Sequence, residues 1–312
     1  MKGGTRARVL ALHLGLIAAL FAAQFVLGAY HHTNLARIMV LATYAVGYNL
    51  LLGYTGLMSL GHAMFFAAGM YGAGLSIYYL GFGAVSGFAL GVACALGLAL
   101  VFGAFALRTS GVSFLIVTMM FGQACYLTIL YFNQVTFGDQ GFILSDRLPT
   151  SLVDPDVKYN AALLVFAVCF LASAFLVRSP FGRILVAIRE NEARTRLLGY
   201  DTYTCKLVAL TLSGGMSGAA GAAYALLFSY VGASFAAILN SIYPLLWTLL
   251  GGAGTTLGPV LGTGLMFYLV DLTSGWTSAY LFVVGGALLV LVLFFPLGIM
   301  GTVRAKLAPW LP

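Results

Sequence analysis

The 312-residue chain is 62% hydrophobic and only 7% charged, with a mean hydropathy of +1.02 and a formal net charge of +7. No water-soluble domain of this length hides so much apolar surface, which excludes soluble enzymes and nucleic-acid-binding domains. The apolar runs are long and continuous, as needed for helices that cross about 30 Å of hydrocarbon, and unlike the short alternating segments of a membrane β-barrel.

In chain order the runs predict ten membrane helices, over roughly 9–27, 38–52, 63–80, 84–106, 112–131, 160–177, 206–228, 242–257, 260–275 and 279–295. The expected fold is an all-α polytopic membrane protein, with residues 1–312 forming one transmembrane domain. Lys2, Arg6 and Arg8 before the first run give it a signal-peptide look, but AAQFVLGAY is a poor cleavage site, so the helix is read as retained. Between the second and third runs lies GYTGLMSLGH, with Gly53, Gly56, Ser59 and His62; between the eighth and ninth lies LLGGAGTTLGP, with Gly251, Gly252 and Thr255. Gly-rich interruptions at membrane depth are tolerated only where protein or a cavity satisfies the freed backbone, and such broken helices often border a translocation path. The seventh run carries SGGMSGAAGAA, whose Gly214 and Gly218 allow close backbone approach, chiefly for helix packing. YNLLLGYTG (Tyr48–Gly56) echoes YALLFSYVG (Tyr224–Gly232) in helices of opposite direction, consistent with an inverted repeat or with chance similarity in a restricted alphabet.

Two polar connections stand out, an external loop over 132–159 and a charged loop over 178–206. The second holds Arg178, Arg183, Arg189, Arg194, Arg196 and Lys206, six of the 15 basic residues, with Glu190, Glu192 and Asp201. With the N-terminus cytoplasmic, ten spans place those six inside together with Lys2, Arg6, Arg8, Arg108, Arg304 and Lys306, and leave only Arg37, Arg147 and Lys158 outside. Twelve against three follows the positive-inside rule and puts both termini in the cytoplasm. Reading Gly258-Pro259 as a kink instead merges two spans and reverses the last charges, which favours ten over nine. Within the charged loop a helix is expected from about Ile184 to Leu198, closed by Gly199; its mixed apolar and charged surface suits the groove of another protein.

Enzymatic readings fail on residue order. Gly215-Met216-Ser217-Gly218 resembles a serine-protease string, but His13, His31, His32 and His62 all precede it, and the chemistry needs a later histidine base. Cys94, Cys125, Cys169 and Cys205 are scattered, no metal-ligand spacing occurs, and no GxxxxGK[ST] loop is present, so the chain is expected to bind no cofactor and hydrolyse no ATP itself. The spans hold almost no charge, with Asp271 near an outer end, so ion coupling is disfavoured. A self-contained carrier or channel stays open as the alternative.

SPFGRILVAIRENEARTRLLGYDTYTCKLVALTLSGGMSGAAGAAYA resembles the signature region of permease subunits of branched-chain amino-acid ABC importers, of the LivM type. GYTGLMSLGHAMFFAAGMYGA, SIYPLLWTLLGGAGTTLGPVLGT and FPLGIMG are similar to further family segments, in the same order. The resemblance implies a bacterial inner-membrane permease paired with a second related permease. Two cytoplasmic P-loop ATPases and an external substrate-binding protein complete the implied assembly. It also implies that Arg189, Glu190, Glu192, Arg194 and Gly199 belong to the helix that receives the ATPase stroke, with residues 53–62, 249–258 and Gly214–Gly221 along the path. One departure is visible: where the family commonly reads T-G-G-x-x-G, this chain has Thr136-Phe137-Gly138-Asp139-Gln140-Gly141. Leucine-like substrates therefore do not follow; urea, short amides and aromatic acids are carried by related importers.

Overall fold

A computed structural model describes residues 3–149, 152, 154–277 and 279–306. Among these are thirteen α-helices: α1 (Gly3–Ala23), α2 (Ala29–Asn49), α3 (Ala63–Leu80), α4 (Ala84–Ala106), α5 (Val112–Tyr131), α6 (Asn133–Thr136), α7 (Pro155–Arg178), α8 (Pro180–Leu197), α9 (Thr202–Phe228), α10 (Leu239–Gly251), α11 (Gly258–Ser274), α12 (Tyr280–Phe294) and α13 (Gly298–Lys306). One short antiparallel pair, β1 (Phe142–Ile143) with β2 (Tyr230–Val231), joins the two connections at 132–159 and 229–241. Residues 150, 151 and 153 of the first connection, and Lys2, lie outside the described residues.

Five helical segments are long and apolar enough to cross a membrane by themselves: Ala29–Tyr54, Ala63–Leu80, Ala84–Ala106, Val112–Tyr131 and Pro155–Arg178. The predicted spans at 63–80, 84–106 and 112–131 coincide with α3, α4 and α5. Elsewhere polar caps start helices earlier than hydropathy does. Asp154 accepts the Asp156 N–H ahead of Pro155 in α7, and Asp201 accepts the Tyr203 and Thr204 N–H groups of α9. Each satisfies a donor that the first helical turn leaves bare. α8 likewise begins at Pro180, capped by Ser179, four residues before the predicted Ile184. It is also bent: Asn191 has extended backbone (φ −159°, ψ 98°), and its side chain accepts the Arg194 N–H at 2.9 Å. The element is therefore two short helices meeting at an elbow.

The predicted span 242–257 is shorter than read. α10 ends at Gly251 after 13 residues, about 20 Å at 1.5 Å per residue and too short to cross the hydrocarbon core alone. Residues 252–257 form the tip of a tight antiparallel hairpin with α11, in which Gly251 meets Gly258 and Gly262 meets the Trp247 carbonyl so closely that a Cβ would overlap backbone. Gly258-Pro259 is thus a helix start after a turn, with Pro in the first turn where its missing N–H costs nothing.

The core lies where α2, α3, α7 and α9 meet, with Tyr48, Tyr159, Phe65, Phe166 and Phe170 all at most 1% exposed. α4 packs on α9 through a ladder of small residues four apart. Gly91 faces Ala222, Ala95 faces Gly218, Ala99 faces Gly214, and Gly103 faces Leu210. A Cβ at Gly218 would overlap that of Ala95, so the two backbones come as near as glycine permits. The other faces of α4 and α5 carry exposed apolar residues such as Leu100, Val101, Ile116 and Met120, as lipid-facing helices do.

Candidate functional site

The two Gly-rich breaks, far apart in sequence, meet at one end of the bundle. α2 loosens into a single π-helical turn over Leu50–Tyr54 before the chain leaves the helix; such turns free carbonyls for other donors. Asn49, 2% exposed, bridges the breaks: its Nδ2 donates to the Thr255 carbonyl and its Oδ1 accepts the Gly254 N–H, both at 2.9 Å. A Cβ at Gly53 would overlap Asn49 Oδ1 and the Gly254 nitrogen, so glycine at 53 is what lets the bridge close. Gly252 (φ +116°) and Gly254 (φ +75°) take backbone conformations that side chains resist. Thr255 Oγ1 donates to the Gly252 carbonyl at 2.7 Å and accepts the Gly258 N–H at 3.1 Å, closing the tip.

α8 reaches into this junction. Arg189 Nη1 donates to the Gly53 carbonyl, and the Arg189 stem lies against Gly56. From the other side, Arg304 of α13 donates to the Gly254 carbonyl at 3.3 Å. Both arginines therefore satisfy carbonyls just beyond helix C-termini, where a positive charge also opposes the helix dipole. Between them opens a cavity of about 410 Å³, lined by Arg189, Gly254, Thr255, Leu297, Gly301 and Arg304 among others. The Tyr54 hydroxyl at the end of the π-helical turn is buried. That hydroxyl has no hydrogen-bond partner among the described residues.

The elbow is held by a separate ion cluster. Glu192 meets Lys206 at 2.5 Å and Arg196 at 3.2 Å, and accepts the Thr202 hydroxyl at 3.2 Å. Partial burial alone would raise the Glu192 carboxyl, but the Lys206 hydrogen bond and charge, with Thr202 and Arg196, outweigh it and hold it below the usual range. Glu190 and Arg194 are exposed on the same element, and Gly199 ends it with φ +90°. Leu197 and Leu198 are 88% and 71% exposed, apolar tips with nothing over them among the described residues.

The remaining sequence candidates lie deeper. His62 and Ser59 are fully buried. Ser213 Oγ donates to the Gly47 carbonyl at 2.5 Å, which leaves it to accept from His62 Nε2 at 2.8 Å. The pair is oriented opposite to a serine–histidine dyad, because the histidine gives the proton rather than taking it. Ser217 donates to the Ser213 carbonyl at 2.9 Å and is buried, a packing role. Tyr48 donates to the Ser59 carbonyl at 2.8 Å, and the Ala63 N–H at the start of α3 donates to Ser241 Oγ. Gly214 and Gly218 face α4 in the ladder and are not brought to the 53–56 and 252–255 junction. Sequence reading missed Asn49, Tyr54 and Arg304; a buried asparagine one turn before a Gly-rich break was the available signal for the first.

At the opposite end, Phe137 occupies the left-handed region (φ +61°, ψ 12°) at the end of α6. The conformation explains why glycine suits this position, and a phenylalanine there costs roughly 1–2 kcal/mol of backbone strain. Its ring packs 5.1 Å from both Tyr78 and Phe142, and Arg147 lies 4.8 Å over the Tyr78 ring.

Residues 32–293 match the family model described as branched-chain amino acid transport system / permease component. The high-affinity branched-chain amino acid transport system permease proteins LivM of Escherichia coli and Salmonella typhimurium are each 25% identical over 298 residues, covering 86% of this chain and 69% of theirs. An autoinducer 2 import system permease protein, LsrC, of Photorhabdus laumondii is 28% identical over 42% of this chain and 41% of its own. No solved structure matches. A family match across most of the chain, on a bundle of apolar helices with Gly-rich breaks, leads to one statement: the chain belongs to the permease components of branched-chain amino-acid transport systems.

Proposed function

We propose that this non-catalytic permease subunit pairs with a second related permease and is driven by two cytoplasmic ATPases that grip the α8 elbow. Residues 1–312 then act as one domain with ten crossings, both termini cytoplasmic in a bacterial inner membrane, the short α10 and the 252–257 tip sharing one crossing. The observation that carries the reading is the Arg189 hydrogen bond to the Gly53 carbonyl, which ties the charged cytoplasmic helix directly to a membrane helix break. Pushing the elbow moves Arg189, and through Gly53 and Asn49 both breaks at once. Access to the path along residues 53–62 and 249–258 would then alternate between the two faces, with Gly214 and Gly218 behind it in the packing core. An external binding protein would dock over 132–159 and 229–241, the loops stitched by β1 and β2. The echo between 48–56 and 224–232 fits an inverted repeat, since each segment ends a long helix before a loop and a further helix.

The substrate is a small solute of the branched-chain amino-acid class or a related one; the likeness to an autoinducer 2 permease and the Phe137 departure keep the class wide. Co-purification from mild detergent, with genomic neighbours co-expressed, tests the assembly. Replacing Leu197 and Leu198 by aspartate should release the ATPases while the chain stays monodisperse. ATPases that remain bound would refute the elbow as their seat, and solute uptake by the lone reconstituted chain without ATP would establish a self-contained carrier instead.

A further inference from the structure

The cavity between Arg189 and Arg304 has features that neither helix capping nor ATPase docking uses. Each guanidinium carries five N–H donors, and among the described residues each gives one to a protein carbonyl. Among the described residues neither has a carboxylate within ion-pair distance. Arg178, at the end of α7, has its Nε and Nη2 buried with no hydrogen-bond partner among the described residues. Two guanidinium groups thus line an open cavity with no compensating carboxylate among the described residues.

One wall of this cavity is apolar. Leu297 lines it, 61% exposed, in the turn between α12 and α13. The neighbouring Gly298 (φ +73°) presses on Gly252 and the Leu249 carbonyl. Leu249 in turn belongs to a second cavity of about 280 Å³, formed between α10 and α12 by leucines 246, 249, 250, 288, 289 and 293. The leucine groove thus lies beside the two-arginine pocket, with the Gly298 contact to Gly252 and Leu249 between them.

We propose that this composite is a binding site for an anionic phospholipid of the cytoplasmic leaflet, with its phosphate between Arg189 and Arg304 and an acyl chain in the leucine groove. The charge complementarity and the adjoining apolar channel favour a lipid over a soluble phosphate or an acidic side chain, since only a lipid fills both parts. The bound phosphate would bridge α8 to α13 and so clamp the 252–257 tip between two helices that the proposed stroke must separate or shift. The cytoplasmic placement rests on the proposed topology; the binding itself does not require the ATPases.

Native mass spectrometry of the purified assembly from nanodiscs tests this, with phosphatidylcholine alone or mixed with phosphatidylglycerol. Wild type should retain phosphatidylglycerol over phosphatidylcholine, and Arg304→Gln should reduce retention about fivefold. Leu293→Trp, which fills the groove and leaves both arginines, should reduce it as well. No preference for the anionic lipid, or equal retention by Arg304→Gln, would overturn the proposal. Displacement by inorganic phosphate with no effect of Leu293→Trp would assign the pocket to a soluble anion instead. Loss of the lipid whenever the ATPases are bound would assign it to a partner's acidic side chain. The same run reports whether ATPases co-purify, so a failure of the lipid site is distinguishable from a failure of the importer assembly.

Discussion

Asn49→Leu removes the bridge between the two helix breaks while keeping a side chain of similar size. Two hydrogen bonds at 2.9 Å are lost, to the Gly254 N–H and the Thr255 carbonyl. Both backbone residues are buried, at a site where Asn49 itself is 2% exposed. A hydrogen bond contributes about 1 kcal/mol net, and a buried group left bare costs about 1–3 kcal/mol. Partial relaxation of the tip brings the total to roughly 2–4 kcal/mol, or about 30- to 1,000-fold in the population of the parted junction. Hydrogen exchange on the peptide covering 249–258 reads this directly, because the Gly254 amide loses its acceptor. Exchange there should accelerate by that factor while peptides from α4 stay unchanged. Unaltered exchange at 249–258 would show that Asn49 does not hold the breaks together, and equal acceleration in α4 would mean that the whole bundle had loosened. Asn160→Ala, which removes only an exposed bond to the Asp156 carbonyl, is the control.

Further outcomes follow from the same geometry. Gly218→Val should abolish the monodisperse species in size-exclusion chromatography, because its Cβ overlaps Ala95, whereas Gly97→Ala, which meets nothing within 4 Å, should be tolerated. Phe137→Gly relieves left-handed strain but loses two ring contacts of about 0.5–1.5 kcal/mol each together with buried area, so proteolysis within 132–149 should quicken rather than slow. The Glu192 carboxyl is held below its ordinary value of 4.5, so its contribution is full above that pH and is lost as pH falls through the lower folded value. Exchange at the 191–206 elbow should therefore rise only under acid conditions below about pH 4.5, and Glu192→Gln should make it fast at neutral pH.

Spans with one uninterrupted apolar run were legible to the residue, as α3, α4 and α5 show. α7, α8 and α9 were read late because Asp154, Ser179 and Asp201 start helices through backbone hydrogen bonds, to which hydropathy is blind. α10 was read long because Gly252 and Ala253 look as apolar as a helix, while the turn depends on φ values that only glycine tolerates. Of the site, the Gly-rich breaks and the charged helix were visible, and so was the glycine-to-phenylalanine departure at Phe137. That Arg189 points inward at Gly53, and that Arg304 meets it from a distant helix, depends on long-range folding that local pattern does not encode.

The four-residue ladder between α4 and α9 divides the molecule mechanically. Helices in contact mainly through glycine and alanine have few long side chains to change rotamer, so they yield little to a sideways load. The junction of α2, the 252–257 tip, α8 and α13 is joined instead by a few hydrogen bonds, two at Asn49 and one each from Arg189 and Arg304. Work done on the elbow is then dissipated at those few bonds rather than spread through the bundle. The ladder serves as the anvil against which a small displacement stays local and becomes an opening.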